Sequence, residues 1–121
     1  NVHCGWRGNV QNIYSNAIEL MKAQYGVRPE DLLVGISPSL GPECAEFIHY
    51  KKEFPESFWR HQVTPFHFDL WAISEEQLVE AGVLRGHIEC ARHCTMTHGE
   101  DFFSYRKERV CGRNAVIAYI K

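Results

Sequence analysis

The sequence predicts an α/β fold, a layered sandwich in which helices flank a mixed β-sheet. Two features predict it: a long amphipathic helical pattern near the start, and short apolar runs bounded by turn residues that alternate with helical patterns further along. The composition, 45% apolar and 23% charged, is typical of a globular protein. A chain of 121 residues fits one domain or part of one.

The first predicted element is an amphipathic helix that begins near Val10. Asn9 can cap its N-terminus, and Gly26 stands where a left-handed residue ends helices. Apolar side chains recur along it at spacings of three and four residues, which predicts one buried stripe. These residues are Val10, Ile13, Tyr14, Ala17, Ile18, Met21 and Tyr25.

A turn at 28–31 precedes a short apolar run at 32–36, which predicts a buried strand. The next segment, 37–44, contains two prolines, two serines and a glycine, so it cannot continue the strand. It is predicted to be a loop at the carboxyl end of the strand, where α/β sheets usually bind ligands.

The middle of the chain predicts shorter elements. Phe47 and Ile48 suggest a strand end, and 50–61 suggests a helix that Pro55 interrupts. A second long helix is predicted to run to about Ala81, with either Asp69 or Ser74 as its N-cap. Gly82 would end it in either case.

The last third of the chain predicts two strands separated by a polar loop. The first strand covers 87–90 and the loop covers 91–101. An aromatic segment at 102–107 follows, and Gly112 precedes a final strand at 115–120.

Charge and hydropathy argue against two classes of partner. The formal net charge is −2, so the whole chain has no basic surplus for nucleic acid or an anionic membrane. No window has the roughly 18 consecutive apolar residues of a transmembrane helix, and no signal peptide opens the chain. Five cysteines without a paired framework favour free thiols in a reducing cytoplasm, so we expect a cytoplasmic location.

The opening residues, His3-Cys4-Gly5-Trp6-Arg7-Gly8, crowd reactive side chains between two glycines just before a helix. Glycine permits a sharp bend or a close approach to a ligand, so such a turn often carries a site. The alternative is a plain turn in which Trp6 is a core residue.

Three other groups of residues have side chains of the types that bind metals, act as nucleophiles or bind anions. The segment 90–98 contains four potential zinc ligands. A zinc site made from so short a segment would be strained, because structural zinc usually takes two separated pairs of ligands. The preferred interpretation is therefore one buried thiol with exposed histidines. Cys4 or Cys94 with a histidine would suit a hydrolase, which residue types alone cannot test. Arg106, near Ser104 and Tyr105, offers a fork of donors that suits phosphate, and Arg7 and Arg113 could join the same pocket.

Taken together, these motifs resemble the laccase-domain (YfiH-like) family. Residues 3–8 are similar to its His-Ala-Gly-Trp-Arg-Gly signature, and 38–42 to its Pro-Ser-Ile-Gly-Pro loop. Four further blocks follow in the family's order: 69–72, 94–95, 102–106 and 112–113. The resemblance implies that residues 1–121 are the C-terminal portion of a single laccase-domain catalytic domain.

The resemblance implies one catalytic zinc, held in the family by two histidines and a cysteine. His3 matches the last of these histidines, whereas the other two ligands belong to the half of the family domain that precedes residue 1. Cys4 stands where the family usually has alanine, so it is not the missing thiolate. Three positions depart from the family's pattern: Lys107 stands where arginine is frequent, Asn114 where methionine is common and Ser37 where the loop often has glycine.

The function that the resemblance implies is a zinc-dependent purine nucleoside phosphorylase with adenosine deaminase activity. His3 is then the metal ligand, Arg7 and Arg106 are the expected catalytic residues, and Ser104 and Arg113 bind substrate. The expected partners are a purine nucleoside and phosphate, with no nucleic acid and no membrane, in a monomer or small homo-oligomer. Two alternatives stay open: a copper-dependent polyphenol oxidase, with Cu²⁺ in place of Zn²⁺, and an inactive fragment that lacks two metal ligands.

Overall fold

The computed structural model describes residues 1–119 and has the mixed α/β fold that the sequence predicts. Helices pack beside a parallel pair and an antiparallel pair of strands, which form two separate two-stranded sheets in this part of the chain. Three 3₁₀ turns, Pro29–Asp31, Glu56–His61 and Arg85–His87, connect them. The helices are α1 (Trp6–Val10), α2 (Ile13–Tyr25), α3 (Tyr50–Glu53) and α4 (Leu70–Glu80), and the strands are β1 (Val34–Ile36), β2 (Gln62–Thr64), β3 (His67–Phe68) and β4 (Ile88–Cys90).

The first helical pattern is divided into two helices, so a single helix from Val10 with Asn9 as its cap is wrong. Asn12 adopts a left-handed conformation (φ 48°), and its side chain caps α2 by accepting a hydrogen bond from the backbone N–H of Ser15. Asn9 is buried instead, and its Nδ2 donates to Ser74 Oγ at 2.9 Å in α4. The Asn9 side chain, which was expected to cap a helix, thus makes a tertiary hydrogen bond instead. The predicted end is confirmed, since Gly26 is left-handed at φ 64°.

The strand expected at 32–36 is confirmed as β1, which pairs in parallel with β4. It is only partly buried, however: Leu33, just before it, is 81% exposed, so an interpretation of the whole run as buried is wrong. Within residues 1–119, β4 is the sole hydrogen-bonded neighbour of β1. The loop expected after the strand is confirmed, and Ser39 bridges to Cys94 beyond the end of β4.

Between β1 and α4 the chain forms short elements around aromatic residues. As predicted, Pro55 interrupts the helical stretch, leaving α3 before it and a 3₁₀ turn after it. The strand end predicted at Phe47 and Ile48 is wrong, because the structure has only an isolated bridge there, from Glu46 to His67.

The N-cap of helix α4 is Asp69 and not Ser74. The Asp69 carboxylate accepts a hydrogen bond from the Ala72 backbone N–H at 2.9 Å. Ser74 lies inside the helix, where its hydroxyl donates to the carbonyl of Leu70 at 2.8 Å. Gly82 ends the helix as predicted, with φ 100°.

Helix α4 joins the two parts of the core. Ile73 belongs to an aromatic cluster formed by Phe47, Phe54, Phe58 and Phe68 with Trp6 at its edge. Leu78 belongs to a smaller aliphatic group with Ile18 and Val83, against which the β1–β4 pair packs. Each of these side chains hides apolar surface from water, which stabilises the fold.

The final strand predicted at 115–120 is not formed over the described residues 115–119, and Ile120 lies outside them. This apolar run is open to solvent, with Ile117 85% and Tyr119 79% exposed. A strand needs a partner for its backbone groups, and hydrogen bonds in this region instead join Asn114 to the backbone of Phe103. None of the helices described is long and apolar enough to cross a membrane.

Candidate functional site

The residues just before α1 and its first turn form a pocket of about 250 Å³ at the surface. Gly5 is extended and its carbonyl accepts the first helical hydrogen bond, from the Asn9 N–H at 3.1 Å, so the chain turns sharply from His3 into α1. The His3 imidazole is exposed and therefore accessible to a ligand. The pocket is lined by His3, Gly5, Trp6, Arg7 and Gly8.

Arg7 is held in place by the indole beside it. Its guanidinium carbon lies 4.1 Å from the centre of the Trp6 ring, a cation–π arrangement. Trp6 in turn meets Phe47 and Phe54 edge-on, each at 5.9 Å between ring centres. Stacking engages the flat face of the guanidinium and leaves its N–H edge for an anion.

Arg106 reaches the same aromatic cluster from the other end of the chain. Its guanidinium carbon lies 4.9 Å from the centre of the Phe47 ring, and its Nη1 donates to the carbonyl of Glu46 at 2.6 Å. Trp6 and Phe47 are direct neighbours, so the structure brings Arg7 and Arg106 onto two adjoining rings. Two guanidinium groups that lie on neighbouring aromatic rings are suited to bind an anionic group such as phosphate.

Arg106 and the two predicted substrate-binding residues, Ser104 and Arg113, are not among the residues that line the His3 pocket. Arg113 turns back on its own segment, where its Nη1 donates to the carbonyls of Cys111 at 3.1 Å and Gly112 at 3.0 Å. Ser104 is half-buried, and its carbonyl accepts from the N–H groups of Lys107 and Glu108. The structure therefore places Arg7 and Arg106 on rings of the aromatic cluster, whereas the Arg113 guanidinium carbon lies 5.9 Å from the centre of the Tyr105 ring.

Cys4, next to His3, has a half-buried thiol. Burial raises the pKa of its thiol, which outweighs the opposite effect of a hydrogen bond with the Tyr14 side chain. Burial also raises the pKa of Tyr14. The Cys4 sulfur lies 3.1 Å from where a Cβ on Gly8 would stand, so Cys4 packs closely against the backbone of α1.

The preferred interpretation of the segment 90–98, one buried thiol with exposed histidines, agrees with the structure. Cys94 is 2% exposed, whereas His93 and His98 are exposed. The His98 ring nitrogen Nδ1 lies 3.0 Å from the carbonyl oxygen of Cys94.

Sequence reasoning missed a second group of ligand-type side chains. Cys94 meets Cys44 and Glu43, and the sulfur and carboxylate atoms of the three all lie within 4.8 Å of one another. Burial, the Cys94 thiol and the Glu43 carboxylate together raise the pKa of Cys44 to about 11. The available signal was topological: Cys44 and Cys94 each follow one of two strands that pair in parallel.

Comparison with known proteins gives this geometry a family context. The sequence profile of the family described as multi-copper polyphenol oxidoreductase laccase matches residues 1–121. A purine nucleoside phosphorylase of Bacteroides thetaiotaomicron is 33% identical over 88% of this chain and 43% of its own length. The chain thus spans less than half the length of that relative.

Solved structures show the same fold. YlmD from Geobacillus stearothermophilus superimposes with a TM-score of 0.75 at 30% identity, over 89% of this chain and 43% of that one. The Bacillus licheniformis hypothetical protein YfiH superimposes with a TM-score of 0.74 at 24% identity, over 89% of this chain and 44% of that one. With a profile match along its whole length and a relative above 30% identity, the chain belongs to the multi-copper polyphenol oxidoreductase laccase family.

Proposed function

We propose that this chain provides the His3 and arginine part of a zinc-dependent purine nucleoside phosphorylase that also deaminates adenosine. The reaction joins phosphate to the ribose of inosine or adenosine, forming ribose 1-phosphate and releasing the purine base. The observation that carries the proposal is the His3 pocket, where an accessible imidazole lies beside an arginine stacked on Trp6. The name of the Bacteroides relative, purine nucleoside phosphorylase, supports the same reaction class.

His3 suits the zinc expected for the family, because an exposed imidazole nitrogen at a pocket wall is an ordinary zinc ligand. Among the described residues that line this pocket, it is the single side chain of a type that binds zinc. The other ligands must then come from elsewhere, in line with residues 1–121 as the C-terminal portion of a larger catalytic domain. When bound, zinc would supply Lewis acidity and an activated water.

The two cluster-bound arginines supply the anion-binding function. In our proposal Arg7 and Arg106 hold the attacking phosphate, since each guanidinium rests on a ring of the aromatic cluster and needs little reorganisation to bind. Ser104 and Arg113 are proposed to bind the substrate, without a division between nucleoside and phosphate. Substrates of this reaction are a purine nucleoside and phosphate, in an enzyme that we expect to be cytoplasmic and monomeric or a small homo-oligomer.

Replacing Arg106 by alanine is expected to lower kcat/KM by roughly 10- to 100-fold, the range for loss of one charge-assisted hydrogen bond. The loss should show as a higher KM for phosphate with little change in the KM for nucleoside. The measurement is initial-rate phosphorolysis with each substrate varied in turn. Arg109→Ala removes an exposed arginine from the same segment and should behave as the unmodified protein. Full activity of Arg106→Ala would remove this residue from the proposal.

One assay distinguishes the phosphorylase from the polyphenol oxidase named in the family description. The protein, with any residues that precede Asn1 in its natural form, is incubated with inosine or adenosine and phosphate, and with a phenol in parallel. We expect ribose 1-phosphate, inosine formed from adenosine, and bound zinc by elemental analysis. Bound copper with phenol oxidation and no ribose 1-phosphate would establish the alternative. The 121-residue chain alone is expected to be inactive, because His3 is the single side chain of a metal-ligand type among the described residues that line the pocket.

A further inference from the structure

Glu43, Cys44 and Cys94 form a second group of converging donors, in which the two sulfur atoms and the carboxylate oxygen lie within 4.8 Å of one another. Its members differ in burial: Cys94 is 2% exposed, Cys44 is half-buried and Glu43 is exposed. The thiols are therefore shielded from solvent, whereas the carboxylate is accessible to it. It shares no residue with the His3 pocket.

The backbone holds these donors together from two distant parts of the chain. A turn places Cys44, whose N–H donates to the carbonyl of Gly41 at 3.0 Å. Ser39 ties this loop to the Cys94 segment by accepting from the Thr95 N–H at 2.9 Å and donating to the His93 carbonyl at 3.1 Å. Both segments follow the carboxyl ends of parallel strands, which is where α/β folds usually place ligand sites.

Gly41 makes the convergence sterically feasible. A Cβ on this residue would stand 2.6 Å from a Glu43 carboxylate oxygen and 2.8 Å from the Cβ of Cys94. Contacts that short do not occur, so any larger residue would push the carboxylate or the Cys94 segment away. The absence of a side chain at Gly41 is what lets Glu43 fold back toward the thiols.

We propose that Glu43, Cys44 and Cys94 bind a divalent cation of the zinc type, separate from the metal of the His3 pocket. Two thiols and a carboxylate match zinc, which takes both sulfur and oxygen ligands, whereas Mg²⁺ and Ca²⁺ prefer oxygen alone and Cu⁺ prefers sulfur. Binding replaces the two thiol protons, which leave to solvent, with two metal–sulfur bonds. Three protein ligands leave a fourth position for water.

The test is titration with Co²⁺, a spectroscopic substitute for zinc, of the reduced protein with any residues that precede Asn1 in its natural form and with His3→Ala to silence the His3 pocket. We expect a thiolate-to-cobalt charge-transfer band that saturates at one equivalent and disappears when Zn²⁺ is added. The signal reports sulfur coordination directly and does not require enzyme activity. Failure of the phosphorylase assay would therefore leave this result unaffected, and the reverse also holds.

Variants assign the band to particular ligands. Cys44→Ser is expected to lose most of it and to bind at least about 100-fold more weakly, beyond the 10–100-fold cost of losing an outer partner of a metal site. Glu43→Gln changes an exposed side chain, so folding should be unaffected; it should keep the band but bind about 10-fold more weakly. Cys90→Ser and Cys111→Ser each remove a free cysteine outside the group and are matched controls that should bind as the unmodified protein does.

Three results would overturn the proposal. One is a chain with native circular dichroism and no thiolate band, and another is a band of unchanged strength in Cys44→Ser. The third is a disulfide between Cys44 and Cys94, detected by counting thiols before reduction and by peptide mapping. If Cys44→Ser fails to fold, unchanged cobalt affinity in Glu43→Gln would equally contradict the assignment.

Discussion

His3→Ala is expected to remove zinc from the His3 pocket and to lower phosphorolysis by more than about 100-fold, since loss of even an outer partner of a metal site costs about 10–100-fold. The imidazole is the single ligand-type side chain among the described residues that line the pocket, so no neighbour there can replace it. The measurements are elemental analysis of the purified protein, with any natural residues before Asn1, and the rate of ribose 1-phosphate formation.

Cys4→Ala is the matched control for this prediction. Cys4 is the adjacent residue, its thiol is half-buried, and its raised pKa keeps it protonated near neutral pH. Alanine is also the residue that the family usually has at this position, so zinc content and activity should stay unchanged. Full zinc content in His3→Ala, or loss of zinc in Cys4→Ala, would contradict the assignment of His3 as ligand. The Glu43, Cys44 and Cys94 cluster must be silenced by Cys44→Ser in both variants, so that only one site is counted.

Phe68→Ala is expected to destabilise the fold by about 3–5 kcal/mol, the usual cost of removing a buried phenylalanine. Phe68 is fully buried and meets Phe54 at 5.0 Å and Tyr50 at 5.1 Å between ring centres. Folded domains are stable by only roughly 5–15 kcal/mol, so this loss is a large part of the total. Urea unfolding followed by tryptophan fluorescence would measure it.

The same substitution should affect the site, because the aromatic cluster supports both arginines. Phe47, under Arg106, packs on Phe68 at 6.3 Å between ring centres. Phe66→Ala is the control, since this nearby ring is 44% exposed and should cost far less. Equal losses of stability in the two variants would show that the cluster is not the main core.

Local sequence patterns correctly predicted several helix caps, helix ends and interruptions. The Asp69 cap, Gly82 after α4, Gly26 after α2 and the interruption at Pro55 all follow from backbone chemistry that neighbouring residues settle. Errors arose where a distant contact competed with the local preference. Asn9 hydrogen-bonds to Ser74 in α4 instead of capping a helix. The run at 115–119 failed for a different reason, since it has strand-forming residues but no paired strand among the described residues.

For the site, the sequence by itself determined that a histidine, a tryptophan and an arginine lie at one glycine turn, because His3, Trp6 and Arg7 fall within five consecutive residues. It also determined the family resemblance. Only the tertiary structure decided that Arg106 shares the aromatic cluster with Arg7, and that Cys44 and Glu43 meet Cys94. These contacts join residues many positions apart, and they depend on the parallel pairing of β1 with β4 and on the packing of Phe47 against Trp6. No local periodicity encodes such long-range contacts.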